Sequence, residues 1–80
     1  MDVDVCTLAT LQQGQKAVIK AINTLDPQIQ RLMTLGLVEG AEVEHVSTAL
    51  GGDPLEFRLF GRRISLRLEQ ARQFMVSPLA

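Results

Sequence analysis

The spacing of apolar and polar residues along the chain predicts a series of short β-strands. Residues 16–22 (KAVIKAI) form a short, mostly apolar and partly β-branched segment, which favours a buried strand over a helix. Residues 41–49 (AEVEHVSTA) predict a second strand whose alternation is interrupted, because Val43 and His45 share one face while Val46 is apolar on the other. We therefore expect a β-bulge near Val46.

Two further segments alternate and predict a hairpin after the turn at 50–54 (LGGDP). We expect the chain to reverse at Gly61 and Arg62, with Phe60 on the outer face of the first strand. The positions expected to face inward are Leu55, Phe57, Leu59, Ile64, Leu66 and Leu68. Residues 74–76 predict a last short strand.

One full helix is predicted between the first two strands. Asp26 is suited to cap its first turn, Pro27 fits its first helical position, and Gly36 is suited to end it. Shorter helical turns are predicted at 8–11 and 69–73.

The apolar side chains of this helix cover a wide arc, roughly 160° at about 100° per residue. Ile29 and Leu32 lie at its centre and are expected in the core, whereas Met33 and Leu35 lie at its rims. Two outcomes stay open: the barrel and the 37–38 loop cover the rims, or the rims form an exposed apolar strip for a partner.

Short strands in a chain of 80 residues predict a mainly β fold, built as a small closed or nearly closed barrel, because closure hides the strand edges. This length allows one domain, expected to span 1–80 with its core in 7–76. The apolar fraction of 46% and the charged fraction of 21% are typical of a globular protein.

Charge and cysteine content exclude several classes of function. The net charge of −1 is unlike that of a domain that binds phosphate backbones. One cysteine cannot form an intramolecular disulfide, and neither a long apolar run nor a basic leader is present, so we expect a cytoplasmic protein without membrane insertion.

Three segments together resemble the FeoA family, ferrous iron transport protein A: LGLVEGAEVEHV (35–46), GGDP (51–54) and GRRISLRLEQA (61–71). The resemblance extends over about residues 7–76. Two departures stand out. Glu39 occupies a position where the family often has Pro, and ALGGDP (49–54) replaces Ala-Pro-Leu-Gly-Asp-Pro.

The resemblance implies an SH3-like barrel of about five strands with one inserted helix. It also implies a cytosolic, non-catalytic accessory protein of ferrous iron uptake that binds the cytosolic part of a FeoB-type transporter, a membrane protein with its own GTPase domain. The alternative is a stand-alone SH3-like regulatory domain related to the C-terminal domain of iron-dependent repressors.

Three arginines are expected on the outer face of the predicted hairpin: Arg58, Arg63 and Arg67. Three interpretations remain: a solvated face balanced by Glu56, a patch that contacts a partner protein, or a nucleic-acid surface. The last is disfavoured, because the chain lacks an aromatic stacking set and has no net positive charge.

His45 and Cys6 are too few to build a structural metal site, which needs about four ligands. We expect an inert cysteine and a surface or half-buried histidine, with weak or intermolecular metal binding as the alternative. No phosphate loop is present, and no nucleophile elbow surrounds Ser47 or Ser65. We therefore predict no enzyme activity, no catalytic residues, no cofactor and no metal ligands.

The surface predicted to bind a partner combines the rims of the helix with the arginines of the hairpin. Its residues are Met33, Leu35, Arg58, Arg63 and Arg67. Nucleic acid is not expected as a partner, and a homo-oligomer is left open.

Overall fold

The computed structural model describes residues 6–79. The elements, in chain order, are β1 (Cys6–Thr7), β2 (Lys16–Ile22), α1 (Pro27–Met33), β3 (Glu42–Thr48), β4 (Leu55–Leu59), β5 (Arg62–Leu66), α2 (Leu68–Ala71) and β6 (Phe74–Pro78). Short 3-10 turns lie at Leu8–Thr10 and Leu50–Gly52. The mainly β architecture with one longer helix is confirmed.

The strands form one antiparallel sheet in the order β1-β6-β2-β3-β4-β5. It has six strands rather than about five, because the two-residue β1 pairs with β6. Within residues 6–79, β1 and β5 are the edges, so backbone pairing leaves the barrel open. The register of β3 against β4 shifts between His45 and Ser47, which confirms the predicted bulge.

The core lies on the inner face of this sheet, and α1 and α2 contribute to the same apolar cluster. Leu55, Phe57, Leu59 and Leu66 are buried as expected, and each fully buried aliphatic or aromatic side chain contributes about 1.5–3 kcal/mol. Ile64 and Leu68, also expected inside, are half-buried at the margin. The other buried apolar residues are Leu8, Leu11, Ala17, Ile19, Ile29, Leu37, Ala41, Val43, Ala71, Phe74 and Val76.

The helix begins as its sequence predicts. Asp26 is the N-cap, and its Oδ1 accepts a hydrogen bond of 2.9 Å from the backbone N–H of Gln28, while Pro27 occupies the first helical position. The helix ends at Met33, earlier than the predicted end at Gly36, so Leu35 lies in the turn that follows it. Gly36 adopts a positive φ of 112° in this turn.

The reversal between β4 and β5 differs from the prediction by one residue. Leu59 pairs with Arg62, so the turn consists of Phe60 and Gly61, and Arg62 begins β5. Both turn residues have positive φ values, 52° and 78°, which is the pattern of a type I′ turn. Phe60 therefore lies at the tip of the hairpin and not on the outer face of β4.

Candidate interaction surface

The end of α1 meets the tip of the β4–β5 hairpin at Gly36. A Cβ atom placed on Gly36 would lie 2.9 Å from Cε2 of Phe60 and 3.4 Å from Cδ2 of Leu59. Because real Cβ contacts essentially never come below about 3 Å, the ring of Phe60 rests directly on the glycine backbone. The turn after α1 therefore contacts the β4–β5 hairpin through a glycine, which leaves room for the ring.

Three exposed apolar side chains surround this contact, and we call them the tip patch: Leu35, Val38 and Phe60. Their exposed fractions are 49%, 39% and 71%. Leu35 precedes Gly36 in the chain, and the backbone N–H of Val38 donates to the carbonyl of Gly36 at 2.9 Å. Leu35 and Val38 thus lie within two positions of Gly36 in the chain, and Phe60 contacts Gly36 from the hairpin.

The residues predicted from the helix arc are placed differently from each other. Leu35, predicted at one rim of the helix, lies in the turn after α1, is exposed and belongs to the tip patch. Met33, at the other rim, is half-buried, and Leu32 packs partly against the core. The role of Met33 and Leu35 in binding stays a prediction. Sequence reasoning missed Phe60 and Val38, since their proximity depends on how α1 and the hairpin meet.

A shallow cleft of 370 Å³ borders the tip patch on the side of β3. Its charged residues carry both signs and lie on three strands. It is lined by Lys16, Glu42, Val43, Glu44, Arg58, Phe60 and Gly61. Phe60 thus both contacts the Gly36 backbone and lines a cleft that carries charges of both signs.

The arginines on the outer face of the hairpin are paired with carboxylates. Nη1 of Arg58 lies 3.2 Å from Oε1 of Glu44, and Nη1 of Arg63 lies 3.1 Å from Oε1 of Glu56. Arg58 and Arg63 are opposite each other in the strand register, and each of these two like charges has its own carboxylate partner. Exposed pairs of this kind contribute about 0.2–1 kcal/mol each. The face is mixed in charge rather than basic.

The third predicted arginine belongs to a junction between the LGGDP turn and α2. Nε of Arg67 lies 3.3 Å from Oδ1 of Asp53, and the same oxygen accepts a 3.0 Å hydrogen bond from the backbone N–H of Leu68. Asp53 therefore anchors the turn to the start of α2. This contact gives the GGDP segment a structural role.

His45 is buried, with 4% of its surface exposed, so the expectation of a surface or half-buried histidine is wrong. Nδ1 donates to the carbonyl of Leu11 at 2.7 Å, because a carbonyl oxygen accepts and does not donate. Nε2 lies 2.9 Å from Oγ1 of Thr48 and 3.1 Å from the carbonyl oxygen of Ser47. The ring also packs on Phe57, with centroids 5.1 Å apart.

The backbone of His45 makes two more bonds to the same loop. Its carbonyl accepts from Gly14 at 2.7 Å, and its N–H donates to Gln15 at 3.0 Å. His45 therefore fastens the loop before β2 onto β3, and its ring nitrogens are engaged. Within the described part of the chain, no group of three or more His, Cys, Asp or Glu side chains is arranged to hold a metal ion.

The sequence model of the FeoA domain matches residues 6–78. The solution structure of the FeoA protein from Chlorobium tepidum is 33% identical, with a TM-score of 0.84 over 92% of this chain and 70% of that chain. FeoA of Stenotrophomonas maltophilia, in complex with zinc, is 32% identical, with a TM-score of 0.79 over 91% of this chain and 94% of that chain.

The S. maltophilia protein is described as a prokaryotic SH3 domain protein and a candidate activating factor of bacterial ferrous iron transport. The fold defined here is accordingly a small SH3-like domain. The chain belongs to the FeoA family, a family of small SH3-like proteins related to ferrous iron transport.

More distant likeness concerns the fold alone. A manganese-dependent transcriptional repressor is 15% identical, with a TM-score of 0.84, and this chain corresponds to 44% of its length. No curated protein sequence matches this chain. No helix among residues 6–79 has the length and apolar character needed to cross a bilayer.

Proposed function

We propose that this protein is a cytosolic, non-catalytic accessory protein of ferrous iron uptake that binds the cytosolic part of a FeoB-type transporter. The observation that carries the proposal is an exposed apolar tip patch on a chain of the FeoA family. A transient protein interface combines an apolar centre with a polar rim, and arginine is enriched there over lysine.

The surface fits this description in its layout. Leu35 supplies part of the apolar centre, and Met33, two residues earlier, is half-buried. Arg58 and Arg63 lie on the outer face of the hairpin and Arg67 lies at the start of α2, each in reach of a carboxylate. The chain has two lysines in all, so its positive charge is mostly carried by arginine.

Binding rather than catalysis is supported by how the polar residues are used. His45 holds a loop in place, and Ser47 Oγ donates to Glu56 at 3.0 Å. Ser47 Oγ is thus directed to a carboxylate, whereas a nucleophile–base pair would need this hydroxyl within hydrogen-bond reach of the imidazole. Likeness to the repressors at 15% identity concerns the fold, and no separate observation favours the regulatory alternative.

The test is a calorimetric titration of this protein into the cytosolic part of the FeoB-type transporter from the same organism. We expect saturable binding, on the order of micromolar as for other small transient interfaces. Leu35→Glu should weaken it at least about tenfold, because a charge would enter the apolar centre, while the melting temperature stays at the wild-type value.

Leu50→Glu is the matched control, since Leu50 is fully exposed in the turn before β4, outside the tip patch. It should bind like wild type. Absence of binding by the wild-type protein would refute the proposed function. A folded Leu35→Glu variant with unchanged affinity would remove Leu35 from the interface.

A further inference from the structure

Phe60 has a backbone conformation that is unfavourable for its residue type. Both central residues of a type I′ turn have positive φ, a conformation favoured by Asn, Asp and Gly and strained for a bulky side chain. Gly61 suits its position, whereas Phe60 at φ 52° does not. Within residues 6–79, Phe60 is the one residue other than glycine with a positive φ.

The ring of Phe60 gains little burial in return for this conformation. With 71% of its surface exposed, it contributes little to the core, although the same chain buries Phe57 and Phe74 completely. Strained backbone that persists without a compensating gain in folding is typical of binding surfaces. The position therefore serves something other than the stability of the hairpin.

Gly36 fixes where the ring lies. Its missing side chain leaves room for Phe60 to approach within 2.9 Å of the place that a Cβ would occupy. Gly36 also has a φ of 112°, a conformation that residues other than glycine rarely adopt. The backbone therefore favours glycine at the position that the ring contacts. The ring is thus held against the end of α1, and its other side is presented to the solvent.

We infer that Phe60 is the anchor residue of the surface that binds the transporter's cytosolic part, and that Gly36 is its positioning residue. The inference rests on the proposed function and names the part of the surface that carries the binding energy. Aromatic side chains at the centre of an interface are the ones that most often do so.

Charge around Phe60 defines the chemistry of the partner. The neighbouring cleft has Lys16 and Arg58 together with Glu42 and Glu44, so positive and negative groups are balanced. Nucleic acid and anionic lipid surfaces require an excess of positive charge. The matching surface is a protein with an apolar recess for a ring and charged groups of both signs at its edge.

The decisive variant is Phe60→Asn, which creates the Asn-Gly sequence that type I′ turns favour. We expect its melting temperature to equal or exceed that of the wild type, by up to about 4 °C. Its dissociation constant for the transporter's cytosolic part should rise at least about tenfold in calorimetry. A change that relieves the turn and weakens binding separates a binding role from a structural one.

Leu50→Asn is the matched control, because it also replaces an exposed apolar side chain by Asn, in a different turn. It should leave binding unchanged. If wild type binds and Phe60→Asn binds equally well, the anchor role is overturned while the proposed function stands. A Phe60→Asn variant that melts well below wild type would make the ring structural and also overturn the inference. Absence of binding by the wild type would overturn both.

Discussion

The outer face of the β4–β5 hairpin and the turn that joins its strands are adjacent but are built in opposite ways. On the face, each of Arg58 and Arg63 lies near a carboxylate, and strand alternation is regular. At the turn, Phe60 occupies a backbone conformation that disfavours it and exposes its ring. The residues of the outer face suit their strand positions, whereas Phe60 does not suit its positive φ. The turn is therefore the better candidate for a binding role.

The largest expected effect contrasts the buried side of the hairpin with its tip. Leu66→Ala should lower the free energy of unfolding by about 2–5 kcal/mol, because it leaves a cavity at a fully buried position. Phe60→Ala should change it by less than about 1 kcal/mol, since the ring is mostly exposed. Urea unfolding of both variants measures the difference. Coincident midpoints for Leu66→Ala and wild type would show that the inner face of β5 is wrongly assigned.

The next largest effect on stability concerns Gly36, the glycine that the Phe60 ring contacts. Gly36→Ala should destabilise the protein by about 1–3 kcal/mol, through the strain of a side chain at positive φ and its contact with the ring. Gly40→Ala separates the two causes, because Gly40 has a φ of 91° and open space around it. Thermal melts should therefore show a smaller loss for Gly40→Ala.

A double variant completes this comparison. When Phe60→Asn is combined with Gly36→Ala, the ring is absent and only the backbone strain of an alanine at positive φ remains. The loss of stability caused by Gly36→Ala should then fall to that caused by Gly40→Ala. If Gly36→Ala and Gly40→Ala have equal effects with Phe60 in place, the contact between Gly36 and the ring carries no energy.

The fold was predictable where a local pattern decides it. The apolar run at 16–22, the capping residues Asp26 and Pro27, and the alternation in β4 and β5 each depend on neighbours in sequence. The bulge near Val46 was predictable for the same reason, since it reconciles two apolar faces of one strand. These features need no knowledge of distant contacts.

The candidate site was predictable only in part, because it depends on distant contacts. Phe60 continues the alternation of β4, so the pattern places it on a strand, and the pairing of Leu59 with Arg62 is what assigns it to the turn. Leu35 was singled out from the helix arc, although α1 ends at Met33 and Leu35 lies in the turn beyond it. Its neighbour in space, Phe60, follows from the contact at Gly36, which no sequence period indicates.

His45 and the arginines show the same limit. Alternation puts His45 on the same face as Val43, but it was expected to be at the surface or half-buried, because the Leu11 carbonyl that makes its burial favourable comes from another part of the chain. Likewise, the pairing of Arg58 with Glu44 requires the register of β3 against β4. For these residues the sequence indicated the strand face and could not indicate the partners that decide burial and pairing.

The smallest expected effect concerns the arginine face. Arg63→Glu combined with Arg67→Glu should slow association with the transporter's cytosolic part by about threefold and reduce its dependence on salt, if these arginines steer the encounter. The effect should be modest, because Glu56 and Asp53 already balance their charge. Stability should change by about 1 kcal/mol or less, as exposed ion pairs contribute little.

Lys20→Glu combined with Arg72→Glu is the matched control, since it changes the net charge equally at exposed positions outside the arginine face. Stopped-flow association at several salt concentrations distinguishes the two double variants. A larger effect of the Arg63 and Arg67 changes than of the control would show that this face guides the partner towards the tip patch. Equal effects would show that net charge alone matters and that the arginines form a solvated face, leaving binding to the region around Phe60.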